Sequence, residues 1–173
     1  MKSTIKQNIH KLRPYSFMPY DANWPKLYNK HANVLRKIFT HEIILLEHIG
    51  STSIPGMWAK PQIDILITVK DFNKIPSFYD LMKTHGYTVR GDYTSEGEEY
   101  FTKDTPDGFR EVSIHILPNG HPWAIDLIDL RDYLRSHPKE AKLYSDIKRK
   151  MNREFPNDYS SYFNGKRQTV HAL

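Results

Sequence analysis

Cysteine is absent from the 173 residues, which excludes thiolate metal sites, cysteine nucleophiles and disulfides together. No stretch of about 18 apolar residues occurs, so no helix legible in the sequence spans a membrane. Met1 to Pro14 carries Lys2, Lys6, His10, Lys11 and Arg13 among scattered apolar residues, with no continuous apolar run behind them. No secretory signal is read there, and a cytoplasmic location is expected. Repeats, low-complexity tracts and linker-like stretches are missing as well. The length falls within the roughly 100–200 residues of one domain. One domain over 17–173, preceded by a lead segment at 1–16, is therefore expected.

Aromatic residues, by contrast, are plentiful at 13%, with 11 tyrosines and 3 tryptophans, and are read as lining for a core and a cleft. Apolar residues at 39% and charged residues at 26% describe a chain able to bury a core without disulfides or a structural metal. The formal net charge of +5 attracts phosphate-bearing ligands or nucleic acid. Charge alone favours the plainer reading of a solvated basic surface.

Periodicity supplies the elements. Leu27, Tyr28, His31, Val34, Leu35, Ile38 and Phe39 recur at helical spacing over about Trp24 to Phe39. Asp21 or Asn23 can cap this helix, and Pro25 suits its first turn. Ile43 to Ile49 reads as a buried strand, broken by Gly50-Ser51-Thr52-Ser53 and a second turn at Pro55-Gly56. Ile63 to Val69 is β-branched and reads as another strand. A helix is expected over Ile75 to His85, closed by Gly86, then a short strand over Tyr87 to Arg90. Glu98 to Thr102 and Arg110 to Leu117 read as a hairpin turning at Thr105-Pro106-Asp107-Gly108. Trp123, Leu127, Leu130 and Leu134 form one helical stripe, and Leu143, Ile147 and Met151 the next, with Pro138 between them. A last helical stretch starts near Asn157 with Tyr159, Tyr162 and Phe163. The expected fold is α+β, a small mixed sheet with helices packed on it.

The segment His48-Ile-Gly-Ser-Thr-Ser-Ile-Pro-Gly-Met-Trp-Ala-Lys-Pro-Gln-Ile-Asp64 carries most of the chemistry. Glycine and serine directly after a buried strand leave backbone N–H groups uncovered, and such a turn can cradle phosphate oxygens. It can also be a plain connection. Gly50, Ser51 and Thr52 are the candidate phosphate-binding residues, expected to line the main cleft, with Lys60 adding a positive charge. Asp64 is the candidate ligand for a divalent cation.

This segment resembles the signature of the GrpB family, an EHIGS-type turn leading to a KP-x-I-D-I strand. Three further stretches match the same family in order: Pro19-Tyr20-Asp21-Ala22-Asn23-Trp24-Pro25, then Arg131-Asp132-Tyr133-Leu134-Arg135-Ser136-His137-Pro138, then Tyr144 with Lys148 and Phe155-Pro156-Asn157-Asp158. The resemblance implies a polymerase-β-like nucleotidyltransferase fold. In that superfamily a Gly-Ser turn is followed about a dozen residues later by an acidic-apolar-acidic strand. Gly50-Ser51 is here followed by Asp64 at that spacing, but position 66, where the second acid belongs, is leucine.

Two-metal transfer needs several carboxylates, so other donors are required. Strand alternation puts Glu111, Ser113 and His115 on one face, and Asp64, Glu111 and His115 become a candidate one-metal set for Mg²⁺. The family often has histidine where Ser113 stands. His48 is a candidate general base near neutral pH; alternatively Glu47 or His48 only ties down the turn. Arg131 and Arg135 share a helix face and suit phosphate capture, whereas Asp132 points elsewhere. Lys139, Lys142, Lys148, Arg149, Lys150 and Arg153 interleave with Glu140, Asp146 and Glu154, a pattern read as a solvated face.

Two functions follow as expectations. One is a Mg²⁺-dependent enzyme transferring a nucleotidyl or phosphoryl group from a nucleoside triphosphate. The other is a module that binds a nucleotide or phosphorylated metabolite without catalysis. Nucleic acid and membrane are not expected partners. The acceptor and the oligomeric state are not legible.

Overall fold

The structure is a computed structural model and describes residues 16–92, 97–156, 158 and 161. The expected lead segment lies outside the described residues except for residue 16, as does most of the expected last helical stretch, Asn157, Tyr159, Tyr162 and Phe163 included.

The first helix of the described residues is α1 (Trp24–Phe39), whose buried residues Trp24, His31, Ala32, Leu35, Ile38 and Phe39 follow the helical period. Pro25 occupies the first turn. The entry is fixed by Asp21 Oδ1, which accepts the Asn23 amide at 2.8 Å; Asn23 itself makes no side-chain cap. Then come β1 (Ile43–Ile49), β2 (Ile63–Val69), α2 (Tyr79–Thr84), β3 (Thr88–Gly91), β4 (Glu99–Asp104), β5 (Arg110–Pro118), α3 (Pro122–Ser136) and α4 (Pro138–Glu154). The helix expected over Ile75 to His85 starts later than its apolar spacing suggests. Phe72–Phe78 is a tighter 3-10 segment with Pro76 inside it, and proline lacks the N–H an α-helix requires there.

The five strands form one sheet in the order β1-β2-β5-β4-β3. Only β2 and β5 run parallel; the other three pairings are antiparallel. Ile63, Ile65, Ile67 and Val69 of β2 and Val112, Ile114 and Ile116 of β5 pack against Leu35, Ile38, Phe39, Ile75 and Met82. On the opposite face, Ile49, Leu66 and Leu117 pack against Ala124, with Trp123, Leu127 and Ile128 around them. The central strands are covered on both faces, which is why β2 reads as an unbroken apolar run apart from Asp64 and Thr68. A third cluster of Ile54, Met57, Leu134 and Tyr144 joins α3 and α4 to the loop after β1.

The outer edge of β1 would expose backbone groups to a passing strand. Tyr28 donates its hydroxyl to the Leu46 carbonyl at 3.0 Å, and Arg131 Nη1 donates to the His48 carbonyl at 3.1 Å. Both carbonyls are thereby capped. Among the described residues no helix is long and apolar enough to cross a membrane.

Candidate functional site

Asp64 meets the Gly50-Ser51 turn because Ile49 and Asp64 are register partners in the antiparallel β1–β2 ladder. Gly50 has φ +71° and ψ −174°, a backbone region closed to side-chain-bearing residues. A Cβ at Gly50 would overlap Asp64 Oδ2 and lie 3.1 Å from Asp64 Cβ, so the carboxylate rests directly on the glycine. Ser53 bonds back to the Gly50 carbonyl through its amide at 3.1 Å and its hydroxyl at 2.6 Å. Thr52 donates its hydroxyl to the Gln62 carbonyl at 3.1 Å. These bonds hold the turn, while the amides of Ser51 and Thr52 take no hydrogen-bond partner among the described residues.

Lys148 reaches this turn from α4. It is 1% exposed, its Nζ donates to Ser51 Oγ at 2.7 Å, and it lies 4.7 Å from the Tyr144 ring centroid. The sequence grouped Lys148 with a solvated basic face. Its i, i+4 spacing from Tyr144, which together with it matched the family, was the available signal that it faces inward.

Asp64 belongs to a polar chain across the sheet. Gln62 Nε2 donates to Asp64 Oδ1 at 2.7 Å and lies 3.1 Å from Ser113 Oγ. Ser113 Oγ meets Tyr100 OH at 2.7 Å, and Arg110 Nη1 donates to that hydroxyl at 3.0 Å.

The expected metal set of Asp64, Glu111 and His115 does not assemble. In the β4–β5 ladder Lys103 pairs with Val112 but Asp104 pairs with Arg110, leaving Glu111 as the extra residue of a β-bulge. The bulge reverses the alternation there. Glu111 turns to His31 of α1 at 3.2 Å, and His31 Nδ1 meets Tyr87 OH at 2.8 Å. His115 does share the sheet face of Asp64, but its Nδ1 is bonded to the buried Glu98 carboxylate. Leu66 is fully buried under α3. Among the described residues no three His, Asp or Glu side chains are grouped to hold a metal ion. This donor set does not fit a resident Mg²⁺.

His48 is not a base poised near neutral pH. Burial pushes its imidazole down to about 4, it stacks on Tyr28 at 4.9 Å, and its Nε2 bonds Thr52 Oγ1 at 3.0 Å. Arg131 is not a phosphate clamp. It is 7% exposed, and its guanidinium donates to Glu47 at 2.6 Å, to the His48 carbonyl, and to Asp132 at 2.8 and 3.2 Å. Asp132 therefore turns back onto Arg131 instead of pointing away, and that hydrogen bond holds its carboxyl below the usual range. Arg135 Nε and Nη2 donate to the Ser53 carbonyl at 3.1 and 2.9 Å, tying α3 to the turn. Lys60 lies in the loop before β2, half-buried, where its carbonyl accepts the Gln62 amide at 2.7 Å.

A cleft of about 910 Å³ opens beside the end of β1, between α1, the loop after the turn, and α3 and α4. Tyr28, His48, Trp58, Arg135 and Arg149 are among its lining residues. Gly50, Ser51 and Asp64 are not, contrary to the expectation that the turn lines the main cleft.

A family model described as GrpB protein matches residues 14–173. The Bacillus subtilis protein YqkA is 34% identical over 163 residues, covering 94% of this chain and 47% of the relative, so the chain spans about half of that protein. The crystal structure of GrpB from Enterococcus faecalis superposes with a TM-score of 0.81 at 26% identity, over 91% of this chain and 98% of the other. Cid1, solved with its short product ApU, superposes with a TM-score of 0.55 at 13% identity, over 94% of this chain and 52% of Cid1, a likeness of fold alone.

Proposed function

This chain belongs to the GrpB family and has a nucleotidyltransferase-like α+β fold, and from that premise we propose that its Gly50-Ser51 turn binds the phosphate groups of a nucleotide or phosphorylated metabolite. The observation that carries the reading is the meeting of three features at one place. The Ser51 and Thr52 amides are unpartnered among the described residues, the Lys148 ammonium is held on Ser51 Oγ, and Gly50, closed against the Asp64 carboxylate, holds the turn at positive φ. Unpartnered N–H groups beside a fixed ammonium favour an anion.

Asp64 offers Oδ2 to a Mg²⁺ ion that arrives with a nucleotide, since Oδ1 is taken by Gln62. Binding without transfer is the reading favoured here. Leucine fills the second acid's place under α3, and Glu111 faces the other side of the sheet. No group-transfer step is assigned.

A thermal-shift series with ATP, UTP and inorganic triphosphate, each with and without Mg²⁺, tests this, because a ligand that prefers the folded state raises its melting temperature. Stabilisation by triphosphate itself is expected. Stabilisation that requires Mg²⁺ should vanish in Asp64→Ala. No shift with any of these ligands would overturn the reading.

A further inference from the structure

The hydrogen-bond order around His48 fixes its tautomer. Thr52 has one hydroxyl proton, and it goes to the Gln62 carbonyl, which can only accept. His48 Nε2, 3.0 Å from Thr52 Oγ1, must therefore be the donor in that contact. In the neutral ring Nδ1 is then a bare acceptor. That atom takes no partner among the described residues, although His48 is 7% exposed and lines the cleft.

The rest of the wall is complementary to a flat, anionic ligand. His48 is stacked on Tyr28 with 5° between the rings. Across the cleft, Arg149 lies 4.4 Å over the Trp58 ring and contacts Asp146 only at 3.5 Å. Arg135 bonds the Ser53 carbonyl through Nε and Nη2, and its Nη1 stands 3.7 Å from Asp132. Asp146 also bonds Lys142 at 2.6 Å, so its single charge is shared between two cations. A volume of about 910 Å³ suits a whole small molecule.

We infer that this cleft, apart from the turn, binds a nucleotide whose base carries an exocyclic amino group, the amino group donating to His48 Nδ1 and the phosphate lying toward Arg135 and Arg149. The reading is independent of the proposed phosphate site, because Gly50, Ser51 and Asp64 do not line the cleft.

Calorimetric titration of AMP, and of purine riboside 5′-monophosphate, which lacks the amino group, tests the assignment. The parent protein should bind AMP about tenfold more tightly than the deamino analogue, the value of one well-formed hydrogen bond. His48→Phe, which keeps the stack on Tyr28, should remove that preference, and Arg149→Met should weaken both ligands. Lys83→Ala, on the exposed end of α2 and away from both sites, should leave AMP affinity unchanged. The ligand exchange needs no mutation, so it stands if a variant fails to fold. Equal affinity of the parent for the two ligands, a preference for AMP that persists in folded His48→Phe, or no AMP binding would each overturn the inference. A triphosphate that still stabilises the protein in any of these cases would leave the turn's role intact.

Discussion

At the scale of single residues, the site turns on Gly50 and on the ring next to it. Gly50 is held at positive φ with the Asp64 carboxylate against its Cα. Gly50→Ala should therefore destabilise through backbone strain and through the clash, together about 2–4 kcal/mol. Urea unfolding of Gly50→Ala alone and in an Asp64→Gly background separates the two. Relief of part of the cost in the double variant is expected, and an unchanged cost would mean that φ alone matters. His48 makes the fold sensitive to acid. Its folded value is about 4 against the ordinary 6.5, with burial the largest cause. The unfolded chain thus takes up a proton below pH about 6.5 that the folded ring resists. The associated stability is present above that pH and is lost as pH falls toward 4, by at most about 3 kcal/mol. Burial lowers His31 in the same direction. Unfolding measured near pH 7 and near pH 4.5 should show a smaller loss for His48→Gln than for the parent, and identical losses would contradict this origin.

At the scale of elements, β2 and α3 decide which chemistry is open. Asp64 sits at the turn end of β2, whereas Leu66 is clamped beneath Trp123, Leu127 and Ile128. Restoring an acid by Leu66→Asp would place a carboxylate in that apolar contact. The expected result is not activity but a loss of more than about 3 kcal/mol, from the lost packing and the buried charge. A variant as stable as the parent by urea unfolding would show that α3 does not seal this position. The β5 bulge acts comparably, sending Glu111 to His31 on α1. Arg131 works as a tie, joining α3 to β1 through Glu47 and the His48 carbonyl.

At the scale of the whole molecule, the α+β order and the strand set were legible, because each is carried by local spacing, whereas the link between the Gly-Ser turn and Asp64 came from the family resemblance. Period-2 and period-3.6 patterns locate elements without knowledge of their neighbours. What escaped was whatever depends on a partner far along the chain. The bulge at Glu111 is set by pairing with β4, so strict alternation placed that side chain on the wrong face. Arg131 and Arg135 look alike in sequence. Their partners on β1 and on the turn lie more than eighty positions away, and with Asp132 these use up the Arg131 guanidinium while leaving Arg135 Nη1 at the cleft. Lys148 was misassigned for the same reason, its target Ser51 being 97 positions distant.

Lys148 also offers the most direct test of the central claim that the Gly50-Ser51 turn is an anion site. The measurement is a calorimetric titration of inorganic triphosphate, without added metal, into the parent, Lys148→Met and Ser51→Ala proteins, with melting temperatures recorded for each. The account predicts binding by the parent, at least about tenfold weaker binding by folded Lys148→Met, and a smaller loss in Ser51→Ala, which keeps both backbone amides. Equal triphosphate affinity in the parent and a folded Lys148→Met protein would contradict it.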